Sequence, residues 1–442
     1  MSAALPRDLG GGLSLRRARR EDAAPLARFN GLVHRDEAEA GPDRPIEQWT
    51  RDLMLGPHPT VAPEDFTLVE EAATGRIVSS LNLISQSWSY GGIPFRVGRV
   101  ELVGTDPDYR RRGLVRAQFE VVHEWSRERG ELVQAITGIP WYYRQFGYEY
   151  ALALGGSRTV TPASLRKLEA GVAEPFRLRP ATEADCAFLA AVDAFAAGRY
   201  LVALARDAAH WRHELTGPRE GSLVRRIVAV IETPAGEAVG FLSRGWRLWG
   251  GALGVDRLEL RPGLSWAAVL PSALRALGEV GRGLASADQP LTGILLPLGV
   301  DHPAYAFLPE RGPRTGRPYA WYLRVPDLPA FLRRIAPAIE ARLAGSAVAG
   351  HSGALRLGFY RSALELRLEA GRLVEAESRP YTTRADYDAH FPELTFLQLL
   401  FGHRSLEELW HAFPDCYVRQ PETVGLLEAL FPRRLSFVWG VG

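Results

Sequence analysis

Lysine is almost missing from this chain. Lys167 is the single lysine in 442 residues, so arginine supplies nearly all of the 53 basic side chains. They face 51 acidic ones, for a formal net charge of +2. That balance gives no electrostatic reason to expect nucleic acid as a partner. Cysteine is as scarce: Cys186 and Cys416 stand far apart. Two isolated cysteines make neither a disulfide framework nor a zinc site, no metal is expected, and a reducing, cytoplasmic setting fits. No run approaches the ~20 apolar residues of a membrane span. Residues 1–12 lack the apolar core of a signal peptide and read as a short loose tail. What remains is a globular composition, 46% apolar and 24% charged, long enough for two or three domains with real cores.

The most informative stretch is 100–116, Val-Glu-Leu-Val-Gly-Thr-Asp-Pro-Asp-Tyr-Arg-Arg-Arg-Gly-Leu-Val-Arg. Residues 100–105 are β-formers, and Asp106-Pro107-Asp108 break the strand. From Gly113 the apolar residues Leu114, Val115, Phe119, Val122 and Trp125 recur at helical spacing. A strand–turn–helix junction of this kind gathers free backbone N–H groups at the positive end of a helix, an anion site suited to a pyrophosphate. Three arginines and a glycine stand at the turn. The alternative is a basic turn ahead of an ordinary helix.

Arg110-Arg111-Arg112-Gly113-Leu114-Val115 resembles the acyl-CoA signature Arg/Gln-x-x-Gly-x-Gly/Ala of the GNAT acetyltransferase superfamily, with Val115 where that signature has a small residue. After a second predicted strand, 131–137, comes Gly138-Ile-Pro-Trp-Tyr-Tyr143-Arg-Gln-Phe-Gly147-Tyr148. It is similar to the second signature, Tyr-x-x-x-Gly-Phe/Tyr. The resemblance implies that acetyl-CoA is the co-substrate, that Arg110, Arg111, Arg112, Gly113, Leu114, Val115 and Arg116 hold its phosphates, and that Val103, Gly104 and Thr105 line its pantetheine arm. It also implies that Tyr143 protonates the departing thiolate. That chemistry is sound, because a thiol of pKa ~8.5 leaves as a thiolate and a phenol of pKa ~10 can donate to it. Tyr143 could equally be a packed aromatic. Trp141, Tyr142, Tyr148 and Tyr150 read that way.

Around this stretch the pattern predicts a strand at 13–17, helices at 21–34 and 46–54, and antiparallel strands at 66–71, 77–89 and 93–103. Residues 155–174 read as a polar connector. The chain then repeats itself at an offset of 163: Leu15/Leu178, Arg16/Arg179, Ala18/Ala181 and Asp22/Asp185 are identical, as are Ala24/Ala187 and Leu26/Leu189. Strands follow at 227–231 and 238–246, but 258–274 carries no phosphate signature, and Pro271 is expected to interrupt its helix. A third region begins near Tyr322, with a helix at 328–344, strands at 354–360, 363–369 and 372–379, and short helices at 394–401, 405–412 and 422–430.

The fold expected is mixed α/β (α+β). Its layout, two tandem GNAT folds followed by a sterol-carrier-like unit, resembles the Eis (enhanced intracellular survival) acetyltransferases over nearly the full length. Tyr142-Tyr143-Arg144-Gln145-Phe146-Gly147-Tyr148 is similar to that family's catalytic-tyrosine motif. The resemblance implies domains at 1–158 (catalytic GNAT), 176–325 (degenerate GNAT) and 326–442 (sterol-carrier-like). It further implies direct acetyl transfer to an aminoglycoside, polyamine or lysine-type amine, and possible homo-oligomers, since relatives form hexamers. The base stays open among the Gly442 carboxylate, Glu101 and water. His34 and His123 rank lower, His123 as a surface residue. Trp88, Trp141 and Tyr142 are candidate pocket aromatics, and the acidic 36–43 loop is a candidate polyamine attractor. Two other readings stand beside this one: an acyl-CoA-binding regulator without turnover, and a lipid binder acting through 326–442.

Overall fold

The computed structural model describes residues 5–36, 41–309 and 314–439. Three sheets organise it. The first runs, in spatial order, Arg7–Gly10, Leu13–Arg17, Phe66–Glu71, Ile77–Tyr90, Ile93–Thr105, Val133–Ile136, Tyr319–Arg324 and Glu149–Leu154, with Val202–Leu204 added to Ile77–Tyr90. The strands expected at 66–71, 77–89 and 93–103 are present, the last two slightly longer. The helices expected at 21–34 and 46–54 are Ala23–Val33 and Arg44–Leu55. Within the supposed loose tail, residues 7–10 are instead half of a hairpin. Gly10, Gly11 and Gly12 all take positive φ, so the chain turns there and Arg7–Gly10 pairs with Leu13–Arg17.

The second sheet is Arg314–Gly316, Ser157–Val160, Gly293–Leu296, Ala252–Leu260, Ala238–Gly245, Arg226–Glu232 and Arg177–Pro180. Its make-up corrects the reading of 155–174 as connector, because Ser157–Val160 pairs with Gly293–Leu296. In return Tyr319–Arg324 enters the first sheet between Val133–Ile136 and Glu149–Leu154. The two sheets thus each take a strand from the far side of the chain. Such long-range pairing has no local sequence signature. Pro271 does not break its helix either: Trp266–Leu284 runs through it. The proline sits in the second turn, where it removes the one bond its N–H would make to the preceding turn.

The internal repeat is physical. Arg16 donates to Asp22 at 2.7 and 2.8 Å and to Glu70 at 2.7 and 2.8 Å. Arg179 donates to Asp185 at 2.8 and 2.7 Å and to Glu232 at 2.8 Å. Asp22 and Asp185 also accept from the backbone N–H of Arg19 and Thr182. In both places one arginine ties the first strand to the helix start and to the neighbouring strand. Two of the identical pairs, Arg16/Arg179 and Asp22/Asp185, therefore fix the same junction twice.

The third sheet, Arg372–Pro380, Ser362–Glu369, Gly353–Gly358, Ala389–His390 and Tyr417–Val418, packs on helix Leu328–Ala344. That helix shares one apolar core with the first sheet, where Trp88, Phe95 and Trp321 meet Phe331 and Phe401. Trp88 is wholly buried there, among core side chains.

Burial also fixes an acid sensitivity. His58 and His123 are pushed down to about 3, chiefly by desolvation. Native protein therefore holds them neutral, and the unfolded chain binds more protons below pH 6.5. Their stabilising contribution is present above that pH and is lost as pH falls. Each is expected to cost up to about 2 kcal/mol at pH 5 relative to pH 7.5. Melting temperature measured across that range should fall with pH, and less steeply in His58→Gln.

Candidate active site

The site forms where the first sheet comes apart. Ile93–Thr105 pairs in parallel with Val133–Ile136 only from Val97 to Arg99. Beyond Arg99 the two strands separate. On its other edge the same strand carries a bulge: Ser80 stands opposite Gly104 and Asn82 opposite Glu101, so Leu102 and Val103 share Leu81. Leu102 takes a φ of 50° there. A bulge kinks the strand and re-aims its backbone, and here it turns the 101–105 segment into the gap. Gly104 is obligatory in this packing. A Cβ on it would lie 2.5 Å from Val33 Cγ2 and 3.3 Å from His34 Nε2. Gly104→Ala is expected to cost about 1–3 kcal/mol of stability, as other overpacked sites do, and to weaken the binding of any ligand seated along 103–105. Thermal unfolding and ligand titration check both.

The turn that follows is a short 3-10 segment, Pro107–Tyr109, with Asp106 accepting from the Asp108 N–H at 3.0 Å. Arg111 and Gly113 both take positive φ, 63° and 75°, before helix Leu114–Glu128 starts. No side chain caps that start, so its first N–H groups stay open to an anion. Arg110 and Arg111 make no ion pair among the described residues. Arg112 donates to the Asp108 carbonyl at 3.2 Å and lies over the Tyr109 ring, and Arg116 donates to Gln145 at 2.9 Å. The cradle is strongly positive, with no internal counter-ion for its guanidinium groups among the described residues. Val115 stands in the first turn, half-buried beside the cavity.

Tyr143 comes from the short helix Tyr142–Phe146. Its ring packs against Phe119, Tyr142, Tyr148 and Tyr322, and it is only 4% exposed. Gly138, at φ 125°, makes room for it: a Cβ there would lie 3.3 Å from the Tyr143 hydroxyl. Burial pushes the phenol up, with the Glu101 charge adding to it. The hydroxyl is therefore protonated at neutral pH, the form a proton donor needs.

One cavity of ≈880 Å³ joins these parts. Val103, Gly104, Thr105, Arg110, Arg111, Arg112, Gly113, Leu114, Val115 and Arg116 all line it, and so do Tyr143, Tyr142, Glu101 and His34. Glu101 is bound by Arg99. His34, ranked below Glu101 from the sequence, lies on the cavity wall. Its Nε2 is buried without a hydrogen-bond partner among the described residues, and burial lowers its pKa against the pull of Glu101. Its only sequence signal is its place at the end of helix Ala23–Val33.

Other expectations need correction. His123 is no surface residue but half-buried, 2.9 Å from the Tyr148 hydroxyl. Trp141, expected to pack, is 68% exposed. Asp43 caps helix Arg44–Leu55 by accepting from the Ile46 N–H at 2.9 Å. Glu37, Glu39 and Gly442 lie outside the described residues. No group of metal-ligating side chains occurs among the described residues, and no helix there is long and apolar enough to cross a membrane.

Residues 15–151 match the family of the acetyltransferase (GNAT) domain. That match assigns residues 15–151 to a GNAT acetyltransferase domain, a domain class of N-acetyltransferase enzymes. Solved structures share the fold across nearly the whole length. A GCN5-related N-acetyltransferase from Kribbella flavida aligns with a TM-score of 0.65 at 19% identity, covering 96% of this chain and 99% of that one. A GCN5-related N-acetyltransferase from Anabaena variabilis gives 0.64 at 14% identity, covering 96% and 99%. Eis1 from Mycobacterium abscessus gives 0.54 at 18% identity, covering 95% and 96%. At these identities the likeness is one of fold. No curated protein sequence matches the chain significantly.

Proposed function

We propose that the chain transfers the acetyl group of acetyl-CoA directly to a primary amine, in the manner of the Eis-like enzymes. One observation carries this reading: a single cavity holds both the uncapped, arginine-rich helix start and the buried Tyr143 hydroxyl. The phosphates belong at Arg110–Arg112 and the N–H groups after Gly113. The pantetheine arm belongs along the unpaired edge at Val103–Thr105. That places the thioester near Tyr143. The amine attacks the carbonyl carbon, the C–S bond breaks, and Tyr143 supplies the proton that the sulfur gains. The proton lost by the amine goes to a base that lines the same cavity, Glu101 or His34, or to water. Holding both reactants supplies much of the rate.

In this reading residues 1–158 and 176–325 are two GNAT units that exchange strands, the second without a phosphate signature, and 326–442 is a sterol-carrier-like unit. The repeated Arg16/Arg179 junction supports the tandem arrangement. Aminoglycosides, polyamines and lysine side chains are the acceptor classes to screen. Initial rates with both substrates varied test the mechanism. Intersecting double-reciprocal lines are expected for direct transfer, whereas parallel lines would mean an acyl-enzyme and overturn it.

A further inference from the structure

A second cavity lies beside the transfer site, on the wall between the first two sheets. It is small, ≈60 Å³, and it contains residues of strand Ile77–Tyr90 (Ile84–Ser87) together with Arg206, Glu214 and the Arg226–Asp256 pair. The two cavities share no lining residue, but their walls are neighbours in two places. Leu223 walls the transfer cavity and its neighbour Val224 walls this one. Ile84 pairs in register with Arg99, the residue that holds Glu101.

The charges in this cavity are unevenly satisfied. Arg226 is bonded to Asp256, and Arg257 to Asp193. Arg206 has no such partner among the described residues. One of its N–H groups donates to the Trp439 carbonyl at 2.9 Å, and its guanidinium lies 5.2 Å from the Trp211 ring centre. Glu214 makes no hydrogen bond or ion pair among the described residues. The two sense each other's charge without contact. A half-buried guanidinium beside one carbonyl and one aromatic face keeps donors that an anion would satisfy, in the planar geometry that suits a carboxylate or phosphate. The small volume fits a compact group and not a multi-ring amine.

We propose that this cavity is the acceptor site, and that it selects small amines carrying an anionic group, which Arg206 holds while Glu214 receives a hydrogen bond from the same molecule. The proposal rests on the transferase reading for its direction: the anionic end sits at Arg206 and the amine points toward Glu101 and Tyr143. It narrows the acceptor class away from polycations, because Arg206 and the paired Arg226 and Arg257 leave no net negative field for them.

The test uses the full chain with CoA bound. Calorimetry and thiol release are measured for γ-aminobutyrate and other aliphatic amino-carboxylates, for O-phosphoethanolamine, and for butylamine and putrescine. Anionic amines are expected to bind at least tenfold tighter than butylamine, and the carboxylate and phosphate arms show which anion the site takes. Arg206→Gln should weaken their binding at least tenfold, with Arg206→Lys recovering part of it. Glu214→Gln should weaken it less. Acetyl-CoA affinity within twofold of wild type certifies that each variant is folded. Arg206-dependent binding without thiol release from any amine would keep this site and remove the transferase reading. Turnover that prefers putrescine or butylamine, or that ignores Arg206→Gln, would keep the transferase and overturn the site. No binding by any anionic amine overturns it as well.

Discussion

Tyr143→Phe is expected to lower kcat by about 10²–10⁴-fold, the usual worth of a positioned proton donor, while acetyl-CoA affinity changes little. The reasoning is local. The ring fills a slot formed by Phe119, Tyr142, Tyr148 and Tyr322, and phenylalanine fills the same slot. Only the hydroxyl is lost, and that hydroxyl sits against Gly138 in the cavity. Burial and Glu101 raise its pKa, so in the wild type the donor form persists through neutral pH. The acidic limb of the rate profile therefore belongs to the base, and the variant should keep that limb at its lower rate. A drop in acetyl-CoA affinity instead of turnover would make Tyr143 a packing residue.

Replacing Arg110, Arg111 and Arg112 together with alanine is expected to raise the acetyl-CoA Kd by at least a hundredfold. Each charge-assisted bond to a phosphate is worth about 1.5–3 kcal/mol, so losing two of three suffices for that loss. Arg110 and Arg111 have no carboxylate partner among the described residues, and Arg112 touches only a carbonyl and the Tyr109 ring. Their removal should thus leave the melting temperature of the free protein nearly unchanged. The wild-type Kd should also weaken as salt is added. Calorimetry at two ionic strengths checks both statements. An unchanged Kd would mean that the phosphates lie elsewhere.

Much of the candidate site's arrangement was legible because its residues are local in the chain. The strand ending at Thr105, the breaker Asp106-Pro107-Asp108, the arginines and the helix from Leu114 follow one another in the chain, and each is fixed by its own residue type. Tyr143 was legible for the same reason, through the motif around it. His34 was not: it reaches the cavity only because Gly104 lets helix Ala23–Val33 approach the bulged strand. The exchange of Ser157–Val160 for Tyr319–Arg324 was invisible too, since strands separated by so much chain pair through backbone atoms alone. The repeat showed its identities in the sequence, but their cause, an arginine bridging a helix start and a neighbouring glutamate, needed Glu70 and Glu232 to be placed. The second cavity was hidden for a related reason. Arg206, Glu214, Arg226 and Asp256 come from separate elements, and among fifty-three basic residues no single arginine stands out.

The most direct test of the central claim is thiol release from acetyl-CoA by the purified chain across a panel of amines, with the triple arginine variant alongside. The account predicts amine-dependent release, saturable in both substrates and lost in the variant at acetyl-CoA concentrations that saturate the wild type. Acetyl-CoA binding that is absent, or release that is indifferent to both the amine and the three arginines, would contradict it.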